Sequence, residues 1–221
     1  MYNHTLALQK SIKFAPKLSM KIGKIHECCG PAKIRVAIML ATSIKGQIIW
    51  IRPNWEVTTL NIDGLSSWFS TERFLLINVK NKNDLIYCLE EVLRSGSASV
   101  TIADLPEIPK PIPMRRFKIA MKKGLLLNKN KSMISLILTP KKGGAQNVES
   151  RWFASNLPSW HESKNNLLRE LKQKWLVTRL FSRTEPPAKW VLEATEYGDG
   201  NHFPKLILNS TKLPYFFTNK I

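Results

Sequence analysis

The chain reads as an α/β protein: a mostly parallel sheet flanked by helices, with an antiparallel C-terminal extension. Three observations predict it. Up to residue 138, short apolar runs bounded by turn residues alternate with stretches of helical periodicity, the pattern of parallel βαβ units. The first unit passes from a strand through Gly30-Pro31 into an apolar helix. From Glu149 strand-like alternation takes over, as an antiparallel extension requires.

Taken in order, residues 1–22 carry Lys10, Lys13, Lys17 and Lys21 and no acid. A short amphipathic helix followed by a linker at Pro16 is expected there. Strand one is expected over 24–28. The first helix should run from about Pro31, a favourable first-turn proline, with Ile34, Ile38 and Ala41 on one face. Residues 47–52 (QIIWIR) are an almost unbroken apolar run, as a strand buried on both faces needs, and Pro53 ends it. Residues 55–69 turn helical in their later part, with Leu65, Trp68 and Phe69 on the apolar side. Residues 73–79 (RFLLINV) read as another buried strand.

Leu85, Cys88, Leu89, Val92 and Leu93 then follow helical spacing. Asn83 or Asp84 can cap that helix, and Gly96 suits a left-handed C-terminal cap. A fourth strand over 99–103 ends on Asp104. A proline-rich elbow (Pro106, Pro109, Pro111, Pro113) leads to a basic helix around 114–127, and a fifth strand is expected over 133–138. Strands over 151–154, 174–181, 190–194 and 203–208 complete the chain, with 183–188 as a hairpin loop between two of them. The expected division is a basic segment 1–22, a core domain 23–197 with its C-terminal hairpin, and a strand and tail over 198–221.

At 221 residues with 43% hydrophobic content the chain can bury one full core. Lys and Arg number 34 against 16 acids, a net charge of +18, which points to a polyanionic partner, nucleic acid first. Lysine-rich coding bias is the competing explanation. Cys28, Cys29 and Cys88 form no ladder of spacings and read as small buried thiols in a reducing compartment. The first twenty residues lack an apolar core of signal-peptide length, and no run is long enough to span a bilayer. A cytoplasmic, nucleoid-associated protein with no membrane partner is expected.

A strand, a glycine turn and a helix N-terminus are where α/β proteins hold phosphate. The phosphate-loop pattern is G-x-x-x-x-G-K-[ST]. Counting from Gly30, followed by Pro31, the second glycine falls on Arg35, the lysine on Val36 and the hydroxyl on Ala37. Val36 cannot neutralise phosphate and Ala37 cannot ligand magnesium, so the loop reads as degenerate. Asp104 closes an apolar strand as a Walker B aspartate does, and is read as vestigial or structural. Glu27 and Glu56 are the other acids near this cleft. His4, His26, His161 and His202 show no metal-ligand spacing, and no serine lies in G-x-S-x-G. No catalytic constellation, metal site or cofactor is expected.

The cationic signal is stronger. Between Glu107 and Glu149 no acid occurs, yet Lys110, Arg115, Arg116, Lys118, Lys122, Lys123, Lys129, Lys131, Lys141 and Lys142 all do. Lys141-Lys142-Gly143-Gly144 follows the fifth strand, where open sheets gather their binding sites. A mobile, glycine-rich loop can approach a phosphate backbone closely. DNA-binding candidates are Lys141, Lys142, Gly143, Gly144 and Arg151, with Arg115 and Arg116 behind them; the basic helix fits a solvated face equally well. Trp50 and Trp175 lie in apolar strands and belong to the core, whereas Trp152, Trp160 and Trp190 could also serve as stacking platforms.

Several of these stretches resemble the RecA core. Gly23-Lys-Ile-His-Glu27 with Gly30-Pro31 resembles its opening; residues 89–96 and 100–104 resemble the helix and Walker B strand that follow. Residues 133–139 with Gly143-Gly144 sit where that fold carries its second DNA-contacting loop, and 183–193 resembles its late basic hairpin. More specifically, Trp50-Ile-Arg-Pro53 and Gly143-Gly-Ala-Gln-Asn-Val-Glu-Ser-Arg-Trp152 make the chain similar to the ImuA family, RecA-like proteins without a working phosphate loop. The resemblance covers about 23–195. It implies a RecA-like fold and a non-catalytic adaptor of SOS-type, damage-induced mutagenesis. It further implies as partners an ImuB-type polymerase homologue, an error-prone polymerase, and RecA or RecA-coated DNA. The alternatives are a SulA-type cell-division inhibitor and a DNA-stimulated ATPase with an atypical phosphate site.

Overall fold

The structure, a computed structural model, describes residues 10–56, 60–128, 132–158 and 173–195 and the backbone of 205–209. A hairpin of β1 (Ser11–Ala15) and β2 (Leu18–Lys21) precedes β3 (Ile25–Cys29), α1 (Lys33–Ser43), β4 (Ile48–Pro53) and the short α2 (Ile62–Ser66). After these come β5 (Phe74–Val79), α3 (Lys82–Ser95), β6 (Val100–Asp104), α4 (Pro111–Leu127) and β7 (Ile134–Leu138). The strands β8 (Ser150–Leu157), β9 (Lys174–Ser182), β10 (Ala188–Thr195) and β11 (Lys205–Asn209) follow. Nine strands form one sheet in the order β11-β10-β9-β8-β3-β7-β6-β4-β5. Pairings from β8 to β5 are parallel and those from β8 to β11 antiparallel. The α/β class and the antiparallel extension expected from the sequence are therefore present. Among the described residues no helix is long and apolar enough to cross a membrane.

Helices cover both faces because successive strand residues point to opposite sides. Trp50 of β4 faces the layer of the hairpin, α1 and the α2 region, where Phe14, Met39, Leu40, Trp68, Phe69 and Trp152 are buried. Its neighbours Ile49 and Ile51 face α3 and α4, against Leu89, Leu93, Phe117 and Met121. Trp50 and Trp175 are core residues as expected; Trp160 lies outside the described residues.

Four expectations are corrected. The helix expected before Pro16 is, over its described part, the strand β1. Ile12 and Phe14, then Leu18 and Met20, alternate at period two, and Lys17 takes φ +62° in the turn. Strand β5 is not buried on both faces but is the sheet edge, with Leu75 47% exposed; an apolar run carries no information on which strand lies outermost. Strand β8 belongs to both halves of the sheet, pairing parallel with β3 and antiparallel with β9. The α3 cap falls on Asn81, whose side chain accepts from the Asp84 N–H at 2.9 Å, while Gly96 closes the helix at φ +70° as expected.

Helices α3 and α4 meet backbone to backbone at Gly124. A Cβ there would stand 1.9 Å from the Leu93 carbonyl oxygen. Helix propensity alone favours alanine over glycine by about 1 kcal/mol, but the overlap must separate the helices at a cost of about 1–3 kcal/mol. Gly124→Ala is therefore expected to lower the urea midpoint; a raised midpoint would show that the two helices are not packed this closely.

Candidate nucleic-acid interface and the turn after β3

The carboxyl ends of β3, β7 and β6 stand side by side. Cys28 pairs with Leu138, and Leu138 with Asp104. Beyond this edge lie the turn Gly30-Pro31-Ala32, the start of α1, and the segment that begins with Thr139. All the residues predicted for a phosphate site or for DNA contact through the loop fall on or next to these elements.

The turn after β3 is short, and three of its N–H groups are occupied. Ala32 N–H donates to the Ala154 carbonyl at 3.0 Å, Lys33 N–H to Gly30 at 3.2 Å and Arg35 N–H to Ala32 at 3.0 Å; Pro31 has none to offer. Gly30 sits at φ +91°, and a Cβ on it would lie 2.4 Å from the Ala154 oxygen and 2.9 Å from the Phe153 ring. The glycine is thus needed for close approach to β8. Val36 and Ala37 point into the core, fully buried. Arg35 is half-buried over the Trp175 ring at 5.8 Å, and burial lowers its pKa. A groove of about 430 Å³ opens alongside α1 and α2, lined in part by Pro31, Ile34, Arg35, Leu60 and Asn156.

Asp104 is paired. Lys33, in the first turn of α1, donates to its carboxylate at 3.1 Å, with both side chains largely buried. A lysine ammonium therefore meets the aspartate at the strand end where a Walker B carboxylate would serve magnesium. Counting the phosphate-loop pattern from Gly30 steps over Lys33, so sequence reasoning missed this pair; the signal was a lysine directly after the turn.

The Gly-Gly loop is organised by Glu27. This carboxylate on β3 is completely buried. One oxygen accepts from Thr139 Oγ1 at 2.7 Å, Gly144 N–H at 2.9 Å and Ala145 N–H at 3.1 Å. The other accepts from Arg151 Nε, while Arg151 Nη2 donates to the Ala145 carbonyl at 2.9 Å. A charge this deeply buried is tolerated only when paired and fully hydrogen-bonded. Gly143, at φ +73°, lies so close that a Cβ would sit 2.9 Å from Glu27 Oε1. The loop predicted to be mobile is instead fixed through its middle, and Arg151 is spent on the clamp. Lys141 and Lys142 remain exposed at its start, with Lys141 in the left-handed region at φ +55°. Gly144 is exposed beside Ile108.

Of the two arginines on α4, Arg115 is exposed, whereas Arg116 pairs with Glu90 of α3 and lies over the Tyr87 ring at 5.3 Å. Trp152 is buried and tilted against Trp190 at 5.9 Å. Arg179 lies over both rings at 5.6 and 5.1 Å and bonds to Glu185 and the Pro186 carbonyl. These two tryptophans hold the β8–β10 sheet together, with Trp190 only partly covered. Both thiols on β3 are buried; burial pushes the Cys29 thiol up to about 11 and the Cys28 thiol well above its ordinary value. Deep protonated thiols of this kind are inert.

No protein-family model matches the chain, and no curated protein matches it.

Proposed function

We propose that the chain is a non-catalytic adaptor on a RecA-like core that binds single-stranded DNA through Lys141 and Lys142. The observation that carries this reading is the turn after β3, where the amides of Ala32, Lys33 and Arg35 are bonded to protein carbonyls and Pro31 has no N–H to give. The Lys33–Asp104 pair supports it, because it neutralises the strand-end carboxylate without a metal. The sheet order β5-β4-β6-β7-β3-β8, continued by antiparallel strands, fits a RecA-like core. The role that follows from the ImuA-like segments is accessory to error-prone translesion synthesis. Its partners would be an ImuB-type polymerase homologue, an error-prone polymerase and RecA-coated DNA.

DNA binding rests on two exposed lysines presented by a rigid loop, with Arg115 as a further exposed cation. Such binding is indifferent to sequence and steeply dependent on salt. Lys141→Ala with Lys142→Ala is expected to weaken single-strand binding in fluorescence anisotropy. The log–log salt slope should fall by about 0.7 for each phosphate no longer neutralised. An unchanged isotherm removes the loop from the interface. Equilibrium dialysis with ATP and magnesium addresses the pocket separately: retention of nucleotide would revive the ATPase reading.

A further inference from the structure

The outer side of α4 repeats every seven residues. Ile112, Ile119 and Leu126 are 69%, 57% and 85% exposed. Each of the first two is followed, three and four residues later, by a basic pair: Arg115-Arg116, then Lys122-Lys123. The opposite side of the helix, with Met114, Phe117, Met121 and Gly124, is buried. Seven residues are close to two helical turns, so the three aliphatic side chains align as one stripe about 21 Å long. Aliphatic residues one heptad apart supply one of the two apolar positions per heptad of a helix–helix seam. Tyr87 of α3, 58% exposed, and Leu127, 67% exposed, broaden the apolar surface.

We propose that this face docks an acidic amphipathic α-helix of another protein. Charge chooses the partner: the stripe lies within the stretch from Glu107 to Glu149 that contains no acid, so an incoming helix with glutamates beside its apolar seam is complementary. A second copy of the same face would set Arg115, Lys122 and Lys123 against their like, which repulsion opposes. Single-stranded nucleic acid uses cationic grooves and aromatic platforms and leaves three exposed aliphatic side chains without a role. A bilayer surface calls for a broad apolar helix face, and here that face is turned into the core. Docking on α4 goes beyond the DNA-binding reading and does not depend on Lys141 and Lys142.

The test uses the full chain and two synthetic helical peptides, each about three heptads long, with identical heptad-spaced leucines. One carries glutamate beside the leucines and the other lysine. Only the glutamate peptide is expected to bind in an anisotropy titration. Ile119→Gln with Leu126→Gln should weaken it by about tenfold or more, since two aliphatic side chains leave the seam, while single-strand binding stays unchanged because no charge is altered. Lys122→Glu with Lys123→Glu should reverse the preference between the peptides. The alanine pair at 141 and 142 should leave peptide affinity intact, which separates this proposal from the previous one. Equal binding of both peptides, binding of neither, or indifference to the glutamine pair would overturn it. So would anionic vesicles or single-stranded DNA whose binding disappears with that same pair.

Discussion

Replacing Glu27 by alanine is expected to lower stability by about 3–5 kcal/mol, the cost of breaking a buried ion pair and leaving its partner uncompensated. That is a large share of the roughly 5–15 kcal/mol that holds a domain folded. The variant would orphan Arg151 Nε, the Thr139 hydroxyl and the amides of Gly144 and Ala145, all of which now donate to one carboxylate. Glu27→Gln keeps an acceptor for part of this set and should cost less. Adding Arg151→Met to the alanine variant should recover part of the loss, because the unpaired charge leaves with it. Urea midpoints for the wild type, Glu27→Ala, Arg151→Met and the double variant give the coupling directly. A loss below about 1 kcal/mol for the alanine variant would mean that Glu27 does not hold the loop. The same substitution should weaken single-strand binding, since it releases the loop that presents Lys141 and Lys142.

Lowering the pH from neutrality to about 4 is expected to remove about 3 kcal/mol through one residue, His26. Complete burial pushes its pKa down from 6.5 to about 4, against the opposing pull of the Lys21 carbonyl and Glu149 and with the help of Lys21 and Lys24. The ring is held neutral between two partners: Ser150 Oγ at Nδ1, 2.7 Å, and the Lys21 carbonyl at Nε2, 2.9 Å. Nε2–H donates to the carbonyl and Nδ1 accepts from the serine, which in turn accepts from Trp152 Nε1 at 2.7 Å. The unfolded chain takes up a proton near pH 6.5 and the folded chain only near 4, so protons favour unfolding throughout that window. The contribution is complete above 6.5 and gone by about 4. In His26→Gln the pH dependence of the urea midpoint over this window should flatten. An equally steep decline in the variant would assign the effect to other groups.

The positions of most elements were legible in the sequence because local signals set them. Apolar runs gave β4, β6 and β7, helical spacing with Gly96 gave α3, and Pro186-Pro187 marked the β9–β10 turn. The β1–β2 hairpin was missed although its period-two alternation was present, since four lysines in twenty-two residues suggested an amphipathic helix more strongly. The candidate site was legible in part. The failure of the phosphate-loop pattern at Val36 and Ala37 follows from residue type alone, and both side chains are in the core. What Arg151 does was not legible, because its partner lies 124 residues away.

The amino-acid order determined the class of fold, the mismatch of Arg35, Val36 and Ala37 to the phosphate-loop pattern after Gly30, and the long acid-free stretch that carries the charge. Only the tertiary structure decided which cations are free to meet a ligand. Lys33 and Arg151 are consumed by Asp104 and Glu27, and Arg116 by Glu90, while Lys141 and Lys142 stay in solvent. The reason is physical: a buried carboxylate must find a donor wherever the sheet brings one close, and strand order, which no local pattern encodes, sets that pairing.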